Sequence, residues 1–188
     1  MTAASPRSAR LDAEVPDVEC HLDFAARHFA DAAVFPWHWP PQREGGSGPR
    51  TREQVAEILA EQATQAEAVG FCLWWWRERA SGELVGMTGL NRDRVEDDDV
   101  VEVGWSITPR RQRQGFAAEA ARASISWGFE VCELDEIVSF SMPQNDASRA
   151  VMAAAGMSFV GEFDRAGLPH LLYRVAKPSR PTRPRRRR

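Results

Sequence analysis

The sequence predicts a single α/β domain with a mixed, mostly antiparallel sheet and helices on both faces, and three observations carry that expectation. Two stretches near the start, 18–31 and 52–69, place apolar residues at helical spacing. Residues 71–108 then read as three strands joined by short turns, a meander that pairs antiparallel. Finally, a strand at 100–108, a loop, a helix at 116–131 and a strand at 135–142 follow one another. Two strands joined through a helix need a crossover, so that pair is expected to be parallel.

Each element has its own signal. In 18–31, Leu22, Ala25, Ala26 and Phe29 share one face. The stretch Phe35–Arg50 is too rich in Pro and Gly for regular structure and predicts a long loop. Thr51 and Gln54 form a reciprocal capping pair before the second helix, which Gly70 ends. Phe71–Arg79 is an aromatic strand, Ala80-Ser81-Gly82 a hairpin turn and Glu83–Leu90 the returning strand. Trp74–Trp76 are expected in the core and on the sheet surface. Residues 91–99 predict a polar, acidic turn. In Val100–Thr108, Val101, Val103 and Trp105 alternate with Glu102 and Gly104. Asn145–Ala155 is a helix stopped by Gly156, and two strands close the chain, Met157–Phe163 and His170–Val175, around a turn at 164–169.

The boundaries follow from composition. Residues 1–16 predict an N-terminal arm, 17–176 the domain and 177–188 a disordered basic tail. That tail carries seven of the positive charges and no acid, so the net charge of −3 conceals an acidic body. The tail is either solvated or holds RNA, a ribosome or another acidic partner by charge. Apolar residues make up 43 %, an ordinary globular share. No apolar run approaches the roughly 18 residues that span a bilayer, and no apolar core follows the basic residues at the N-terminus. A cytoplasmic protein without membrane contact, monomeric or a homodimer, is the expectation. Three scattered cysteines give no disulfide framework, and four histidines show no metal spacing, so no metal is expected.

The chemistry concentrates at Pro109–Ala117. This loop enters a helix, where unpaired backbone N–H groups meet the positive end of the helix dipole and make a phosphate site. Gly115 allows close approach, and Arg110, Arg111 and Arg113 add charge. Neither a dinucleotide fingerprint nor a nucleotide-triphosphate loop is present.

Gln112-x-x-Gly115-x-Ala117 resembles the Q/R-x-x-G-x-G/A pattern of the GNAT (Gcn5-related) N-acetyltransferases. The strand Val101–Ile107 looks like that family's fourth strand, and Gly115–Ala120 like the corresponding stretch of its RimJ/RimL-like branch. Asn145, Ser148, Met152 and Ala155-Gly156-Met157 look like that branch's downstream segment, and the Gly86–Gly89 strand with the Asn91 turn also fits. Many relatives carry a glycine where this chain has Arg113.

The resemblance implies a sheet splayed between its fourth and fifth strands. It implies acetyl-CoA as donor, with its pantetheine along Val103, Trp105 and Ile107 and its pyrophosphate on Gln112, Arg113, Gln114, Gly115, Phe116 and Ala117. Asn145 and Ser148 would approach the pantetheine and sulfur. The reaction implied is direct transfer to a primary amine, a protein N-terminus or a small molecule, in a ternary complex. Glu102 is either the general base or a solvated or salt-bridged strand carboxylate, with Glu96 and Asp97–Asp99 as rivals. The departing thiolate takes a proton from Ser148, from water or from nothing, and Asn145 caps a helix with or without touching CoA. Trp37, Trp39 and Glu96 are candidates for the amine site, the tryptophans alternatively being loop anchors. A module that senses acyl-CoA without turnover, and an RNA- or ribosome-associated protein acting through the tail, are the other readings.

Overall fold

The computed structural model describes residues 5–38 and 48–178. Trp39 and most of the basic tail lie outside them. Seven strands form one sheet: β1 (Leu11–Glu14), β2 (Leu73–Glu78), β3 (Leu84–Val95), β4 (Asp98–Ile107), β5 (Glu136–Ser141), β6 (Ser158–Arg165) and β7 (Leu168–Ala176). The helices are α1 (Val18–Ala30), α2 (Phe35–His38), α3 (Arg52–Val69), α4 (Phe116–Glu130) and α5 (Asp146–Ala154). The strand order is β1-β2-β3-β4-β5-β7-β6, antiparallel throughout except for the parallel pair β4 and β5. The crossover through α4 enforces that parallel pair, as expected.

Period-two alternation divides the core between the two faces. Trp74 and Trp76 pack with α4, in a cluster with Leu90, Val103, Phe116 and Ile125. Trp75 points the other way, toward Phe29 of α1 and Leu59 of α3. All three indoles are buried. Each removes on the order of 200 Å² from water, about 5 kcal/mol by transfer. Trp76 also donates its indole N–H to the Thr88 carbonyl at 2.7 Å, so its polar atom is satisfied.

Four stretches differ from the sequence expectation. The arm at 1–16 contains β1, whose Leu11 is buried against β2. It is riveted there by Arg77, which donates to Glu14 at 2.5 Å, and by Arg79, which holds Asp12 and the Leu11 carbonyl. Four residues are too short a run to read as a strand alone; the ladder comes from a partner more than sixty residues away. The loop at 35–50 opens with α2, a single turn in which Pro36 takes an early position where its missing N–H costs nothing. The expected turn at 91–99 is mostly strand. β3 and β4 stay in register to Val95–Asp98, and only Glu96 and Asp97 make the turn, Glu96 with φ 53°. Similarly, the turn at 164–169 shrinks to Ala166 and Gly167.

The sheet is splayed. β3 and β4 share ten register pairs, whereas β4 and β5 share one, Glu102 with Val138. Past Glu102 the two strands part, and the edge of Val103–Ile107 that faces β5 has no ladder partner in it. No described helix is long and apolar enough to cross a membrane.

Candidate active site

The loop expected to bind phosphate is held from beneath and open above. A 3₁₀ turn at Pro109–Arg111 leads out of β4. Gln112 donates its side-chain amide to the Ile107 carbonyl at 2.9 Å, and Gln114 donates to the Arg110 carbonyl at 3.2 Å. Both glutamines thus brace their own loop. Arg10 donates to the Gln114 carbonyl at 3.1 Å and lies over the Phe116 ring at 4.3 Å. Arg111 lies 5.1 Å from the same ring and pairs with Glu78. Two guanidinium groups therefore pack on Phe116, which steadies the entry to α4.

Gly115 caps that helix at φ 82° with no side-chain cap, so the first N–H groups of α4 face outward. That is the helix-end geometry that receives an anion. Arg113 sits two residues earlier in the same left-handed region, at φ 61°. The loop needs that conformation twice, and here a side chain other than glycine adopts it once. Of the three arginines credited with the phosphate site, Arg113 and Arg111 line the cavity above it, Arg111 already paired, while Arg110 does not line it. Glu119 is turned away: it accepts from Ser8 Oγ and from Arg10 N, each at 2.7 Å, and so anchors the N-terminal segment.

Two cavities meet in the splay. The larger, about 610 Å³, runs from Arg113, Gly115, Phe116 and Ala117 to Trp105, Ile107 and Ser148. The smaller, about 240 Å³, is lined by Glu102, Met87, Phe140, Arg165 and His170. Trp37, His38, Trp105, Asn145 and Ser148 line both. Asn145 caps α5, accepting from the Ser148 N–H at 3.0 Å, and this places both residues at the junction. Trp37 stands there 47 % exposed, an indole left at a cavity mouth. Val103, expected along the pantetheine, is fully buried and lines neither cavity. Glu96 lies exposed at the hairpin tip and lines neither cavity.

Electrostatics single out Glu102. Burial, then the nearby carboxylate of Asp93, push its carboxyl up to about 8, against the opposing pull of Arg165. Asp93 and Arg165 themselves form a two-pronged ion pair, at 3.0 and 2.9 Å. Neither residue stood out in the sequence, because partners 72 positions apart on two hairpins give no local pattern. His28 was also missed. It is buried on α1, bonds Ser106 Oγ of β4 at 2.7 Å, and has no partner for Nδ1. Burial lowers it to about 3, so it is neutral and ties α1 to the splayed strand. Among the described residues no cluster of His, Cys, Asp or Glu forms a metal site.

The splayed mixed sheet thus carries an uncapped helix end at one side of the gap and a carboxylate at the other, a layout suited to an anionic donor and a cationic acceptor. Residues 16–158 match the family model described as an acetyltransferase (GNAT) domain, and the chain belongs to that family. It is 35 % identical over 116 residues to the FsC-acetyl coenzyme A-N(2)-transacetylase of Aspergillus fumigatus, covering 58 % of this chain and 48 % of that protein. Its fold is similar to the solved GNAT-family acetyltransferase of Bacillus anthracis, with TM-score 0.75, 21 % identity and 92 % and 98 % of the two chains covered. It is also similar to the ribosomal-protein-S5-alanine acetyltransferase of Vibrio fischeri, with TM-score 0.71, 18 % identity and 93 % and 100 % covered. The chain is thus a GNAT-family acetyltransferase, and acetyl-CoA is its donor.

Proposed function

We propose that the chain acetylates a primary amine by direct transfer, with the donor in the larger cavity and the acceptor entering the smaller one. One observation carries this reading: the two cavities share Trp105, Asn145 and Ser148, so a thioester and an amine lying in them meet at that junction. Proximity of this kind replaces a bimolecular encounter and supplies much of the acceleration.

Each residue then has a task. The N–H groups opening α4, with Arg113 beside them, hold the pyrophosphate. The unpaired edge of β4 beyond Glu102 pairs with the pantetheine and presents N–H donors to the oxyanion. Glu102 takes the ammonium proton, directly or through water; a carboxylate near 8 is much closer to an amine in basicity than an ordinary one is. Ser148 donates a proton to the departing thiolate. Trp37 covers the junction and offers the cationic amine an aromatic face.

The relatives' names point to two kinds of acceptor, an N(2) nitrogen and the alanine of a ribosomal protein. A cavity of about 240 Å³ has room for one amine-bearing head group, such as a single N-terminal residue or a short alkylamine. The test is turnover of acetyl-CoA with peptides bearing free or blocked N-termini and with small primary amines. Acetylation of the free amines alone is expected. Tight acetyl-CoA binding with no turnover across the panel would replace the enzyme reading with a sensing one.

A further inference from the structure

The guanidinium of Arg165, on β6, lies over the Phe140 ring of β5 at 4.7 Å and grips both oxygens of Asp93 on β3. One side chain therefore reaches across the splay, from the β6–β7 hairpin to the β3–β4 hairpin. Both ends are largely shielded, with side-chain exposures of 25 % and 19 %. Bidentate pairs that are shielded in this way are stronger and more directional than surface pairs. Glu102 sits beside this bridge. Asp93 opposes Val100 and Glu102 opposes Asn91, so the two acids are diagonal neighbours on one face of the β3–β4 ladder. Arg165 and Glu102 line the same small cavity.

We propose that Asp93 and Arg165 are positioning residues of the acetyl transfer, a strap across the splay that closes the acceptor cavity and sets Glu102 between two opposite charges. This rests on the reading of Glu102 as the base. The strap does two things that separate residues would not. It holds the two halves of the sheet at a fixed gap where the β4–β5 ladder contributes only one pair. It also places a balanced pair beside Glu102, so that Glu102 is neither stranded beside a lone carboxylate nor locked to a free guanidinium.

The other groups around Glu102 do not provide this balance. On β5 it pairs with Val138, it shares the small cavity with Phe140 and the uncharged Asn145 and Ser148, and the Asn91 opposite it bonds Gln62 of α3. The histidines that line the same cavity are His38 of α2 and His170 of β7. His38 is lowered to about 4 by burial, so it is neutral across the working range. His170 has its Nδ1 on the Leu168 carbonyl at 2.9 Å.

The experiment is a pair of titrations on Asp93→Asn, Arg165→Met, Arg165→Lys and the double variant. One follows the Glu102 carboxyl by carbon-13 NMR, with Glu102→Gln used for assignment. The other follows kcat/KM for an amine at saturating acetyl-CoA. Asp93→Asn is expected to move the Glu102 titration and the rising limb of the rate profile to lower pH, and Arg165→Met to higher pH, each by roughly one unit. The double variant returns toward the wild type, and Arg165→Lys keeps the limb while raising KM for the amine. A purely structural pair would move both single variants the same way, or neither, and that result overturns the proposal. Opposite NMR shifts with a rate profile that stays fixed would also overturn a role in transfer. Undiminished turnover by Glu102→Gln would instead sink the reading of Glu102 as base. Acetyl-CoA affinity, expected to be unchanged in all four variants, reports that each is folded.

Discussion

Glu102 and Val138 form the single register pair between β4 and β5, so the candidate base sits at the point where the sheet divides. A carboxyl placed there is half inside the protein and half in the cavity. Its ionisation is costly, and that cost is what raises its basicity.

Replacing Glu102 with Gln is therefore expected to cut turnover at least about tenfold while leaving acetyl-CoA affinity alone. In the wild type the rising limb of the rate profile should fall near 8. Steady-state kinetics from pH 6 to about 9.5 would show it, and wild-type turnover flat across that range would reject Glu102.

The same residue makes a second, thermodynamic prediction. Its folded value is raised above the ordinary 4.5, so its contribution is fully present below the unfolded value and lost as pH rises toward about 8. The loss approaches at most about 1.4 kcal/mol per pH unit. Glu102→Gln removes it. The variant is expected to melt above the wild type at alkaline pH and to converge with it near pH 4, giving up function for stability. Melting curves that differ equally at both pH values would contradict this.

Arg113 offers a test of the loop. A left-handed residue with a side chain costs about 1 kcal/mol relative to glycine. Arg113→Gly should relieve that strain and raise the melting temperature of the free protein by about 2–4 °C. Arg113→Ala should not. Both remove a charge beside the phosphate site and should weaken acetyl-CoA binding several-fold, less so at high salt. Equal melting temperatures for the two variants would show that the conformation at this position carries no strain.

At the junction, Ser148→Ala is expected to lower turnover several-fold with little change in stability, because the thiolate is already a fair leaving group. Asn145→Ala removes the α5 cap and should cost about 1 kcal/mol of stability as well as acetyl-CoA affinity. If Ser148→Ala leaves kcat unchanged at every pH, water supplies the proton.

These residues also mark what was legible in advance. Helices with strong periods and caps, such as α3 with Thr51 and Gln54, were readable because their signals are local. The Gln112–Ala117 loop was readable as a motif, and Glu102, Asn145 and Ser148 as positions relative to it. The roles of the loop glutamines were not, since bracing Ile107 and Arg110 leaves the same letters in the sequence as touching a ligand. Strand β1 and the Asp93–Arg165 bridge escaped for a different reason. Both exist only through partners far along the chain, and a polar ladder such as 91–99 looks like a turn until its opposite strand is known. Glu96 was drawn toward the site by its charge alone, and the two-residue turn carries it to the hairpin tip.

His28 closes the set with a prediction about acid stability. It is neutral and buried, with a folded value near 3 against an ordinary 6.5. The folded state refuses a proton that the unfolded state accepts, so stability falls as pH drops below 6.5, by up to about 1.4 kcal/mol per unit. His28→Gln loses the ring packing against Phe24 and Trp75 and should be less stable at pH 7.5 by about 1–3 kcal/mol. It also removes the titration. Its stability, measured by urea unfolding, should fall less steeply than that of the wild type between pH 6.5 and 5. The two curves should approach each other in acid; curves that stay parallel would mean that His28 is protonated in the folded protein, and that its link to Ser106 is not the neutral one that holds α1 on the splayed strand.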